Sequence, residues 1–137
     1  MPVNFKIEYG TDAAPRRAAF RDAKFRSIKF PAIKEAVLGK AYRLTLIFAP
    51  TEIMKKWNRI YRGKNTATDI LSFPISTRQG EIYICPTEAR KEAKKYDRPL
   101  ANFIAFLFIH GLMHLKGYRH GATMEGIETK IRGKFGI

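Results

Sequence analysis

This sequence has little sulfur, little imidazole and little negative charge. Cys85 is the one cysteine among 137 residues, so no disulfide can close within the chain, which is compatible with a reducing cytoplasm. The longest apolar run, FIAFLFI at 103–109, falls far short of the roughly 20 residues that span a bilayer. The N-terminal MPVNFKIEYG has no charged start followed by an apolar core, so no secretory signal is expected. Repeats, low-complexity tracts and linkers are missing too. These absences point to one cytoplasmic domain over residues 1–137 with no membrane partner, long enough to bury a core of its own.

Acidic residues number 12 against 26 lysines and arginines, a formal net charge of +14. Such an excess of one sign costs stability through self-repulsion, and a polyanionic partner explains it better than solubility does. The basic residues are densest in PRRAAFRDAKFRSIKF and KKWNRIYRGK. Nucleic acid is the expected partner on charge, ahead of an anionic membrane or an acidic protein.

Periodicity predicts a mixed architecture. FKIEY (5–9) reads as a short strand. A basic helical pattern runs from about Arg16 to Leu38 and should break or bend at Pro31. YRLTLIFA (42–49) alternates as a strand should. Thr51 is placed as the N-cap of a helix reaching about Tyr61, with Ile53, Trp57 and Ile60 on its apolar side and Gly63 ending it. Asp69 to Phe73 reads as a strand stopped by Pro74, paired in a hairpin with Glu81 to Cys85. A polar helix from Pro86 to about Tyr96 follows, then a longer one from Pro99 to about Leu115. The second is apolar nearly all round and should be central. Gly117 stops it, and a last helix runs from about Thr123 to Arg132. The expected class is α+β: a small mixed β-sheet packed with helices.

All three histidines of the chain fall in FIHGLMHLKGYRHG, residues 108–121. His110 and His114 are one helical turn apart and share a face. Gly117 lets the chain turn back so that His120 can reach the same point. Three neutral imidazoles suit zinc and leave a fourth position open, although nickel and other divalent transition metals are also compatible. The spacing H-x-x-x-H-x-x-G-x-x-H is that of metzincin proteases. Those proteases need a glutamate directly after the first histidine. Here that position is Gly111, which cannot move a proton, so a metalloprotease is the weaker alternative. A closed structural site would need Cys85, whose simplest role is a small buried strand residue.

With these residues in view, the chain resembles the YbeY family of bacterial endoribonucleases. The family signature H-G-x-L-H-L-x-G-Y-D-H reads here as HGLMHLKGYRH. A second segment, Y-R-G-K-D-x-P-T-D-V-L-S-F-P, reads as YRGKNTATDILSFP, and GEIYIC resembles the family's G-D-I-x-I-C. The resemblance implies a zincin-like metal-dependent hydrolase fold around a central H-x-x-x-H helix, and one zinc ion held by His110, His114 and His120. It implies single-strand-specific endonuclease activity on RNA rather than DNA, in processing the 16S ribosomal RNA 3′ end and in ribosome quality control. The small ribosomal subunit or its proteins are the implied partners. The family's functional arginine falls on Arg62, the expected catalytic residue. Lys64, Asp69 and Ser72 are the expected substrate-binding residues, and Phe73 is expected in the core rather than as a stacking platform. Arg119 stands where the signature has aspartate, and Asn65 and Ala67 replace Asp and Pro. A competing reading is a non-catalytic RNA-binding assembly factor whose metal only holds the fold.

Overall fold

The computed structural model describes residues 4–9 and 27–137. These residues hold, in order, β1 Phe5–Tyr9, α1 Phe30–Leu38, β2 Arg43–Phe48, α2 Thr51–Arg62, β3 Ile70–Ser76, β4 Gln79–Ile84, α3 Pro86–Lys95, α4 Leu100–Leu115 and α5 Ala122–Phe135. The architecture is α+β. Most of the basic helical segment expected from Arg16 lies outside the described residues. Of the part described, Pro31 starts α1 instead of bending it, because an amide in the first helical turn has no intrahelical partner to lose.

The strands form one mixed sheet in the order β1-β2-β4-β3. β1, β2 and β4 run parallel. β3 closes an antiparallel hairpin with β4 and forms the sheet edge on the side of the site. Alternation along each strand separates two apolar clusters. Leu44, Leu46, Phe48, Ile82 and Ile84 enter the larger one with α1, α4 and α5. Leu71, Phe73, Tyr83 and Cys85 join a smaller one under α2.

α4 is the spine of the larger cluster. Phe103, Ile104, Leu107, Phe108, Ile109, Leu112 and Met113 are all buried, each worth roughly 1.5–3 kcal/mol of transfer free energy. Phe108 meets Phe30 edge to face at 4.9 Å between centroids and Phe5 at 6.1 Å. The apolar helix is therefore central, as its composition predicts.

Three local expectations are corrected. Pro50, not Thr51, caps α2; Thr51 is already helical, and its hydroxyl lies 3.7 Å from the Cys85 sulfur. Ile60 is 53% exposed, while Met54 and Asn58 face inward. The helix is rotated so that the Asn58 amide can donate to the Thr66 carbonyl at 2.8 Å and clamp the loop after it. β3 continues through Pro74, which an edge strand tolerates because the missing amide costs little there; the pairing register shifts between Pro74 and Ser76.

Candidate metal centre and adjoining clefts

His110 and His114 project from the last turns of α4. The helix then ends in a double-bonded reversal. Gly117 N–H donates to the His114 carbonyl at 3.0 Å and Tyr118 N–H to the Met113 carbonyl at 3.1 Å, the Schellman pattern. Gly117 adopts φ +101°, a conformation open to glycine and strained for other residues. This reversal returns His120 to the helix end. The ligand atoms of the three imidazoles lie within 4.8 Å of one another, and the ring centroids are 4.6–5.0 Å apart.

The donor set fits a divalent cation. His110 Nδ1 lies 2.8 Å from Glu128 Oε1. An ionised carboxylate only accepts, so Nδ1 carries the proton and Nε2 presents a lone pair. That Nε2 is 3.1 Å from His114 Nε2. Two imidazole nitrogens at this separation match adjacent vertices of a tetrahedron with bonds of about 2.0–2.1 Å. Burial first, and then the neighbouring His110 and His120, hold the His114 pKa below the ordinary histidine value. The ring therefore stays neutral and able to ligate further into the acid range.

Glu128 is the residue that sequence reasoning missed. It lies on α5, is 5% exposed, and bonds Arg132 through its second oxygen at 3.4 Å. Its i, i+4 spacing to Arg132 was visible in the chain. Nothing local linked it to a histidine eighteen residues earlier.

Gly111 is buried against the sheet. A Cβ there would stand 2.9 Å from both Ile70 Cδ1 and Ser72 Oγ. The position that holds glutamate in metzincins is thus a contact point between α4 and β3, with no room for a longer side chain. Cys85 is fully buried in the smaller cluster beside Met54 and Leu71, apart from the three-histidine group, and does not complete a closed site.

Two cavities meet at the histidines. One, of about 370 Å3, brings Arg62, Asp69 and Ser72 together with all three. Arg62 is the last residue of α2, turned by Gly63 at φ +67°. The Ser72 hydroxyl donates to the Gly111 carbonyl at 3.2 Å. Burial, and secondarily Glu92, raise the Asp69 pKa above the usual carboxylate range. Lys64 is exposed and does not line this cleft; Arg119 is also exposed. The other cavity, of about 530 Å3, shares Asp69, His110 and His120 and adds Glu92, Glu125, Glu128 and Arg132. Tyr96, Phe103 and Phe106 form an aromatic wall along it, with centroids 5.4–5.9 Å apart.

The fold and site define an α+β protein with a three-histidine cluster able to hold a divalent metal, opening onto a cleft with an arginine. Residues 16–135 match the family described as Endoribonuclease YbeY, and the chain belongs to that family of RNA-processing enzymes. Endoribonuclease YbeY of Paraburkholderia phymatum is 35% identical over 75% of this chain and 74% of its own length. That of Paraburkholderia phytofirmans is 34% identical over 69% and 68%. The solution structure of TM1509 from Thermotoga maritima superposes with a TM-score of 0.59 over 96% of this chain and 91% of that one, at 22% identity, and supports the fold.

Proposed function

We propose that the chain is a zinc-dependent, single-strand-specific endoribonuclease that matures the 3′ end of 16S ribosomal RNA and serves ribosome quality control in the cytoplasm. In this reading the whole chain is one zincin-like domain, and the small ribosomal subunit or its proteins present the substrate. The observation that carries it is the convergence of three imidazoles beside Arg62 in one solvent-open cleft. The donor set of neutral nitrogens favours zinc, with nickel as a substitute.

His110, His114 and His120 would hold a divalent ion, which would supply Lewis acidity in the cleft. The chain's own groups do the rest. Arg62 presents a planar fork of donors to the scissile phosphate and stabilises the charge that grows on it. Glu128 keeps the His110 proton on Nδ1 and so holds the ring in its ligating tautomer. Asp69 faces the ribose edge, where its raised pKa suits it to share a proton with a hydroxyl. The Ser72 hydroxyl is already donating to Gly111, which leaves its lone pairs to accept from substrate. Lys64, outside the cleft, holds a neighbouring phosphate. Gly111 contributes no acid or base, which separates this reading from a peptidase.

The test is incubation of metal-loaded protein with defined single-stranded and duplex RNA. Single strands should be cut, and chelation should stop cutting while the protein stays folded. Arg62→Ala should keep the metal and the fold and lose about 10²–10³ in kcat, as loss of a transition-state donor does. An intact, metal-loaded protein that binds RNA and never cuts it would instead support the scaffold role.

A further inference from the structure

The side of β3 facing away from the histidines carries an aromatic strip. Trp57 and Tyr61 lie 5.5 Å apart between ring centroids on α2. Tyr61 is 4.9 Å from Phe73, and Phe73 is 5.5 Å from Tyr83. Phe73 is partly buried against the smaller cluster, as expected of a core residue. Tyr61, whose ring is tilted 56° to that of Phe73, is 62% exposed. A ring backed by another ring and open on its outer side is held in place at little entropic cost and still presents apolar surface to water.

The helix that carries Trp57 and Tyr61 is rich in cations, and Lys56 Nζ lies 5.3 Å from the centre of the Trp57 ring. α2 carries Lys55, Lys56, Arg59 and Arg62 against a single acid, Glu52. None of these cations forms an ion pair with a described residue. Aromatic faces interleaved with cations are the surface that takes up single-stranded nucleic acid, with bases on the rings and phosphates on the charges.

Continuity with the cleft selects the occupant. Tyr61 directly precedes Arg62, which lines the histidine cleft. Along β3 the alternation is equally tight: Ile70 and Ser72 line the cleft, while Leu71 and Phe73 face the strip. A strand with a phosphate at Arg62 would pass round the β3 edge to bring a neighbouring base to Tyr61. An anionic membrane would value the same charges but has no reason to adjoin the cleft. We propose that Tyr61, backed by Phe73 and flanked by Trp57, is a stacking site for the nucleobase next to the phosphate held at Arg62. The inference rests on the ribonuclease reading above and adds how single strands are selected, since a base paired within a duplex cannot reach the ring.

The experiment uses metal-loaded protein and two short 2′-O-methyl oligoribonucleotides of equal length, one with bases and one with abasic positions. Binding is read by anisotropy and by emission of Trp57, the one tryptophan in the chain. Tyr61→Ala should bind the base-bearing probe about tenfold more weakly and the abasic probe as the wild type does. Tyr61→Phe, which keeps the ring, should retain binding. Trp57 emission should change with the base-bearing probe alone. Equal affinity of Tyr61→Ala and wild type for the base-bearing probe overturns the stacking site, as does an equal loss on both probes. Loss of binding only to anionic vesicles overturns it in favour of a membrane. Cleavage of unmodified RNA, run in parallel, separates the two readings. Cutting without Tyr61 dependence removes the stacking site alone; Tyr61-dependent binding without cutting removes the ribonuclease alone.

Discussion

On one side of the histidine cluster lies a cleft of about 370 Å3 in which Arg62 faces Asp69 and Ser72. On the other lies a cavity of about 530 Å3 lined, among the described residues, by the carboxylates Asp69, Glu92, Glu125 and Glu128 and by the cation Arg132. The chain has only 12 acidic residues in all, and four of them border this second cavity. A phosphate entering from solvent is attracted by the first side and repelled by the second. The acidic side has a different task. Glu128 holds the His110 tautomer, and the acidic residues would offset part of the charge of a divalent ion held at the cluster. The contrast teaches that a strongly basic protein can still need a local acidic region, where cations are to be retained and anions turned away.

The comparison can be broken or sharpened at named positions. The largest effect, after loss of the Arg62 fork, is expected on the acidic side. Glu128→Gln keeps the shape and removes the charge behind His110. Metal affinity, measured by competition with a chelator, should fall about 10–100-fold, with the circular dichroism spectrum unchanged. Unaltered affinity would mean that the acidic side does not act on the cluster.

Next comes the wall shared by α4 and β3. Gly111→Ala places a methyl 2.9 Å from Ile70 Cδ1 and Ser72 Oγ. It should cost roughly 1–3 kcal/mol in denaturant unfolding and loosen the Arg62 side before the acidic side. A neutral result would show that the sheet edge yields freely.

The smallest effect belongs to Asp69, which borders both cavities. Its folded pKa is raised, so the stability it contributes is present below the ordinary carboxylate pKa and lost as pH rises through the raised value. Asp69→Asn in chelated protein should therefore raise the melting temperature by about 2 °C at neutral pH and leave it unchanged in acid. The opposite trend would mean that the ionised form is the favoured one.

Much of this site could be read before the fold was known, because its key residues are local. His110, His114, Gly117 and His120 span eleven positions; helical geometry pairs the first two histidines and the glycine reversal after the helix returns the third. The family resemblance, not local pattern, marked Arg62, Asp69 and Ser72, and one cleft gathers them with the histidines; Lys64, marked in the same way, stands outside it. What the sequence concealed is tertiary. Glu128 reaches His110 only because α5 folds back on α4. Asn58 reads as a polar position on an amphipathic helix, and its burial makes sense only once the Thr66 carbonyl is seen beneath it. Pro74 reads as a strand stop because the pattern does not reveal that β3 is an edge. Thr51 reads as a cap because its hydroxyl, which sits near Cys85, has no partner visible in the local sequence.

The most direct test is elemental metal analysis of protein purified without a histidine tag, run beside His114→Ala. About one divalent ion per chain in the wild type, and essentially none in a folded His114→Ala protein, is the predicted result. A folded wild type that takes up no ion, or a variant that binds as much as its parent, would contradict the convergence of three imidazoles on a single cation.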